Sequence, residues 1–122
     1  MRVWALRIGA AYFFAVAVAH WIGFKAPGLF IYYNIPSNTY QDRGIGTLSL
    51  GWAIFIWVAS KHAELVPAVL VAGASALAGF ALITLTPEIA GLAPQGLMPY
   101  WTQLFFHALY LGWVAWAWRQ GK

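Results

Sequence analysis

Charge is what this sequence has least of. Only 8% of its 122 residues are charged, against about 25% in an ordinary soluble domain. With 62% hydrophobic residues and a mean hydropathy of +0.69, the chain cannot maintain a conventional solvated surface. The same composition excludes disorder, which requires low hydrophobicity. Cysteine is absent, so there is no disulfide framework, thiolate metal site or Cys nucleophile. The acidic residues are Asp42, Glu64 and Glu88, none inside a long apolar run. That lack removes both the mid-span carboxylate expected of an ion-coupled transporter and a carboxylate ligand for a catalytic metal. No H-E-x-x-H, G-x-S-x-G or P-loop occurs. Gly44-Ile45-Gly46 lacks the third glycine and the preceding strand of a dinucleotide fingerprint. The chain therefore reads as non-catalytic by itself. The net charge of +4 is dispersed, and no basic cluster points to nucleic acid.

What remains is apolar sequence in four stretches, predicting an all-α integral membrane four-helix bundle in a single domain. The expected spans are 3–24, 44–60, 65–85 and 100–118, with longer loops at 25–43 and 86–99. Val3 to Phe24 would be roughly 33 Å long as a helix, against a hydrocarbon core of ~30 Å. It is too long for a typical signal-peptide core and reads as a retained first span. Lys61 to Glu64 is a very short link, which makes spans two and three antiparallel neighbours. Asp42 is placed to cap span two. The centre of span three, VAGASALAGFA, is nearly all small residues. It predicts the central, closely packed helix, and the Ala11, Ala15, Ala19, Gly23 row of span one lets another helix approach closely.

The basic residues set the orientation. Arg2, Arg7, Lys61, Arg119 and Lys122 fall on one side, and only Lys25 and Arg43 on the other. Both termini are therefore expected in the cytoplasm, with the two longer loops outside.

The polar residues within the spans are the candidate site. Gln103, His107 and Tyr110 are spaced i, i+4 and i+7, one face of a helix, and such a face should turn inward. His20 lies at a similar depth in span one, and Arg43 and Thr47 at the outer end of span two. These six residues are the candidate lining of an outward-opening pocket. A haem b held between two helices requires an axial imidazole from each, and His20 and His107 meet that minimum. A quinone or other lipid-like ligand is an alternative, its carbonyls accepting from His, Arg or Tyr while aromatic residues surround its tail. The plainer alternative is that each histidine bonds a neighbouring span and Arg43 anchors at the interface beside Asp42. The Trp residues, crowded near span ends, suit interfacial anchoring in membrane lipid.

At Gln41-Asp42-Arg43-Gly44-Ile45-Gly46-Thr47-Leu48-Ser49-Leu50-Gly51 the chain resembles the small four-helix DoxX-like membrane proteins. The likeness extends to the short basic turn Ser60-Lys61-His62 and the small-residue third span. It implies a left-handed four-helix bundle in a bacterial inner membrane. Some members of that group are linked to quinone-dependent thiosulfate oxidation. The Trp-rich fourth span departs from the pattern, and the match reaches no catalytic residue. The expected role is an accessory or assembly subunit of a larger respiratory, photosynthetic or other redox membrane complex, contacting other membrane subunits. The alternative is a small redox protein holding haem b or quinone.

Overall fold

A computed structural model describes residues 1–121. Its helices are α1 (Arg2–Ile22), α2 (Thr39–Lys61), α3 (Val66–Thr84), α4 (Pro87–Leu92) and α5 (Met98–Arg119), with a single 3-10 turn at Ala63–Leu65 before α3. No β-strand occurs among the described residues. By length and composition, α1, α2 and the segment Ala63–Thr84 can each cross a bilayer. The chain is thus a helical membrane protein. α5 is as long, 22 residues, and is not among those three. Its Trp, Tyr, Gln and His residues lower its hydropathy.

Local chemistry sets the helix ends. α1 stops at Gly23, whose φ of 74° is the left-handed conformation that glycine adopts without steric cost. α2 starts at Thr39, ahead of the expected span, because the Asn38 side chain accepts from the Gln41 N–H at 2.9 Å. Asp42, expected as the cap, instead lies in the first turn and is buried. Pro67 sits in the first turn of α3, where its missing N–H is harmless.

The four long helices form two pairs, α1 with α2 and α3 with α5, and α1 also touches α5. α2 hardly touches α3, although only a short link joins them. The main core gathers Ala5, Leu6, Ile56, Ala59, Val66, Val69, Val114 and Ala117. These residues come from the start of α1, the end of α2, the start of α3 and the end of α5. The core therefore occupies one end of the molecule. Towards the other end the two pairs separate, and residues 23–38 fold across the opening.

Small residues serve close approach at fewer places than their spacing suggests. A β-carbon on Gly46 would stand 3.0 Å from the Ala17 carbonyl and 2.7 Å from Trp21, so glycine lets α2 lie against α1. A β-carbon on Gly73 would stand 2.7 Å from Leu111, the matching point between α3 and α5. The expectation that α3 is the central helix is corrected: only Val66, Val69 and Thr84 of α3 are buried. In the α1 row, Ala19 is buried while Ala11, Ala15 and Gly23 are exposed. A small-residue row permits close packing but does not supply a partner. The α1 and α2 backbones meet instead at Ala17 and Gly46, while Gly73 receives the Leu111 side chain of α5.

Candidate functional site

Where the helix pairs part, they enclose a partly open cavity of about 480 Å³. That is within the ~300–1,000 Å³ range of small-molecule sites. Val16 and Phe13 of α1, Leu48 and Trp52 of α2, Ala76 and Phe80 of α3, and Leu104 and Leu111 of α5 make its walls mostly apolar. Leu29 to Ser37 contribute the roof.

The roof is held by side chains reaching up from the helices. Gln103 makes two bonds to it: its Oε1 accepts from the Gly28 N–H at 3.0 Å, and its Nε2 donates to the Ile31 carbonyl at 3.1 Å. Tyr100 donates to Asn34 at 2.6 Å. Tyr12 donates to the Gly28 carbonyl. From the roof itself, Tyr32 donates to the Phe80 carbonyl at 3.2 Å and pairs with Thr84 at 3.0 Å. Burial pushes the Tyr32 phenol above its ordinary value of 10.0, against a smaller lowering from Thr84, so it remains a donor near neutral pH.

The polar face of α5 turns onto α1 and the roof, and its members contact protein groups there. His107 Nδ1 lies 2.7 Å from the Gln103 carbonyl, and its Nε2 lies 2.9 Å from the Tyr12 hydroxyl. Tyr110 donates to the Ala5 carbonyl at 3.1 Å. His107 and Tyr110 line the cavity. Gln103 borders a smaller neighbouring cleft between α1 and α5.

His20 is buried on the opposite wall. Phe30 covers one face of its ring, with centroids 3.6 Å apart and planes 7° from parallel. Its Nδ1 is 2.9 Å from the Val16 carbonyl. Since a carbonyl only accepts, Nδ1 carries the hydrogen in the neutral ring, leaving Nε2 as a lone pair. Among the described residues no hydrogen bond engages Nε2.

Two residues beside His20 were not among the sequence candidates for the pocket. Asp42 and Ser49 are buried and line the cavity. With Gly46 they form an i, i+4, i+7 stripe on α2, one turn on either side of the point where α2 meets His20. Asp42 accepts from Ser37 at 2.9 Å, and Ser37 accepts from Lys25 at 2.6 Å. Ser49 has no hydrogen-bond partner among the described residues. The i, i+4, i+7 spacing of Asp42, Gly46 and Ser49 is legible in the sequence and parallels that of Gln103, His107 and Tyr110.

Arg43 and Thr47 do not share the pocket. Both are exposed and absent from its lining. Arg43 is one residue beyond Asp42, a rotation of about 100° away from the buried stripe. Its guanidinium sits 5.6 Å from the Trp21 ring centroid, a cation–π anchor. Thr47 donates to the Arg43 carbonyl at 2.9 Å within its own helix.

His107 Nε2 faces the Tyr12 hydroxyl and its Nδ1 the Gln103 carbonyl, so iron would have to displace one of these contacts to reach the ring. Among the described residues no group of three or more His, Asp or Glu is placed to hold a metal ion. Comparison with family models, curated proteins and solved structures finds no match to this chain.

Proposed function

We propose that the chain is a four-span protein of the bacterial inner membrane whose cavity binds a lipid-like amphiphile of the quinone class. The observation that carries this reading is the cavity itself. It is a space of about 480 Å³ with apolar walls and a few polar groups at its roofed end. α2 and α3 both line it yet hardly touch each other. A tail in the bilayer can enter between them, while a polar head rests below the roof. The DoxX-like layout, with its quinone-linked members, supports the same ligand class.

The fourth span in this reading is α5. At ~1.5 Å per residue, its 22 residues reach roughly 33 Å, and its polar side chains face α1 and the roof rather than lipid. Arg7 lies over Trp4 and Trp57, and Lys61 over Trp57, at the core end of the molecule. That end is cytoplasmic by the distribution of basic residues, and both termini with it. A reporter fused after Lys122 should be active only in the cytoplasm.

The ligand is tested by native mass spectrometry of protein purified from its source membrane. A quinone-class lipid should remain bound to the wild type and be lost from Ala76→Phe, which fills the cavity from α3. Equal retention by both proteins, or retention by neither, would refute the reading.

An accessory role in a larger redox membrane complex is the second reading. It is favoured by α3, whose Val71, Ser75, Ala78 and Leu82 form an exposed face with small residues at its centre. An apolar helix of a partner subunit fits such a face. Mild-detergent purification should then bring down a stoichiometric membrane subunit, and a chain that runs alone would exclude this role.

A further inference from the structure

His20 and Ser49 are more than nine-tenths buried, with relative exposures of 6% and 7%. Both line the cavity, and each has a polar atom that no group of the described residues satisfies: His20 Nε2 and Ser49 Oγ. Neither atom is sealed among protein atoms, unlike the three side-chain nitrogens that are buried without a partner, on Arg2, Arg7 and Asn34. Buried polar groups in native proteins are almost always paired, so an open and unpaired couple facing a cavity marks where a ligand supplies the partner.

The hydrogen-bond roles at this spot are unequal. Neutral His20 presents a lone pair, because its hydrogen is directed at the Val16 carbonyl. The nearby Asp42 carboxylate only accepts, and Lys25 reaches it through Ser37 rather than facing the cavity. The hydroxyls of Tyr12, Tyr32 and Tyr110 already donate to backbone carbonyls, and the one N–H of a neutral His107 is used on the Gln103 carbonyl or the Tyr12 oxygen. Ser49 is left as the donor beside His20. The Trp52 indole stands a turn deeper on α2.

We infer that His20 and Ser49 form the head-group subsite of the cavity, and that it selects an amphiphile bearing hydroxyl hydrogens, such as a hydroquinone, over the corresponding carbonyl form. This rests on the proposed role of the cavity as a site for quinone-class lipids. A hydroxyl donates to His20 Nε2 and exchanges a second bond with Ser49. A carbonyl sets lone pair against lone pair at His20 and has Ser49 alone as its donor.

The test uses the full chain, freed of lipid in detergent, with a decyl-tailed hydroquinone and its quinone under anaerobic conditions at neutral pH. Equilibrium dialysis should find the hydroquinone bound about tenfold more tightly, the worth of one hydrogen bond to an otherwise unpaired buried group. His20→Gln supplies an amide donor and should abolish the preference. Ser49→Ala should weaken the quinone more than the hydroquinone and widen the preference, so the test stands even where His20→Gln fails to fold. Equal binding of the two forms by the wild type, or a preference that survives His20→Gln or shrinks in Ser49→Ala, would overturn the subsite and leave the cavity's role intact. Binding of neither form would overturn both.

Discussion

The Tyr110 hydroxyl lies where a β-carbon of Gly9 would be. Glycine at that position lets the phenol reach across from α5 and donate to the Ala5 carbonyl of α1. Helix propensity alone favours Gly9→Ala by about 1 kcal/mol. The overlap reverses the sign, and a net loss of about 1–3 kcal/mol is expected from overpacking. Tyr110→Phe in the same chain should restore only part of it, since the ring carbon Cζ would still stand 2.6 Å from the new methyl. Thermal unfolding in detergent measures both variants. A stabilised Gly9→Ala would refute the packing described between α1 and α5.

Gln103 bridges the roof backbone with both ends of its amide. Gln103→Leu keeps the volume but leaves the Gly28 N–H and the Ile31 carbonyl without these partners. Each lost bond costs about 0.5–1.5 kcal/mol locally. Amide exchange across residues 26–34 should accelerate by about tenfold or more, while exchange in the core end of α1 stays unchanged. Unaltered exchange in the roof would mean that Gln103 does not hold it.

Two glycines of α2 should respond in opposite ways to the same change. Gly46→Ala forces a methyl against the Ala17 carbonyl and Trp21 and should destabilise the α1–α2 pair. Gly51 is exposed and has nothing within 4 Å of its would-be β-carbon. Gly51→Ala should therefore gain up to about 1 kcal/mol from helix propensity. Equal shifts in melting temperature would contradict the observed face of α2.

Because the Tyr12 hydroxyl and the Gln103 carbonyl stand against the two nitrogens of His107, the protein purified from its source membrane should show no Soret band. A Soret band lost in both His20→Ala and His107→Ala would show that the Tyr12 and Gln103 contacts give way to iron.

The polar face of α5 was legible in the sequence because a helix places i, i+4 and i+7 residues together, and hydrocarbon penalises polar groups turned outward. What that face does was not legible. Gln103 and His107 looked available to a ligand, yet the roof segment and Tyr12 consume their hydrogen-bonding capacity. Those partners are 75, 72 and 95 residues away in the chain, and no local pattern reveals such contacts. Arg43 drew notice by its charge and Asp42 only as a helix cap. One step of helix rotation puts Arg43 outside on Trp21 and Asp42 inside.

By itself the sequence determined the solvent and the all-helical class. Scarce charge and long apolar runs require a helical membrane protein, since in lipid the backbone must satisfy its own hydrogen bonds. The tertiary structure decided where the helices meet and where they part. Small residues permit close approach equally on α1, α2 and α3, but the backbones close at Ala17 and Gly46, and Gly73 takes the Leu111 side chain. With the core gathered at one end, the helix pairs diverge at the other. That divergence leaves a cavity in which His20 and Ser49, rather than Arg43 or Gln103, stand unpaired.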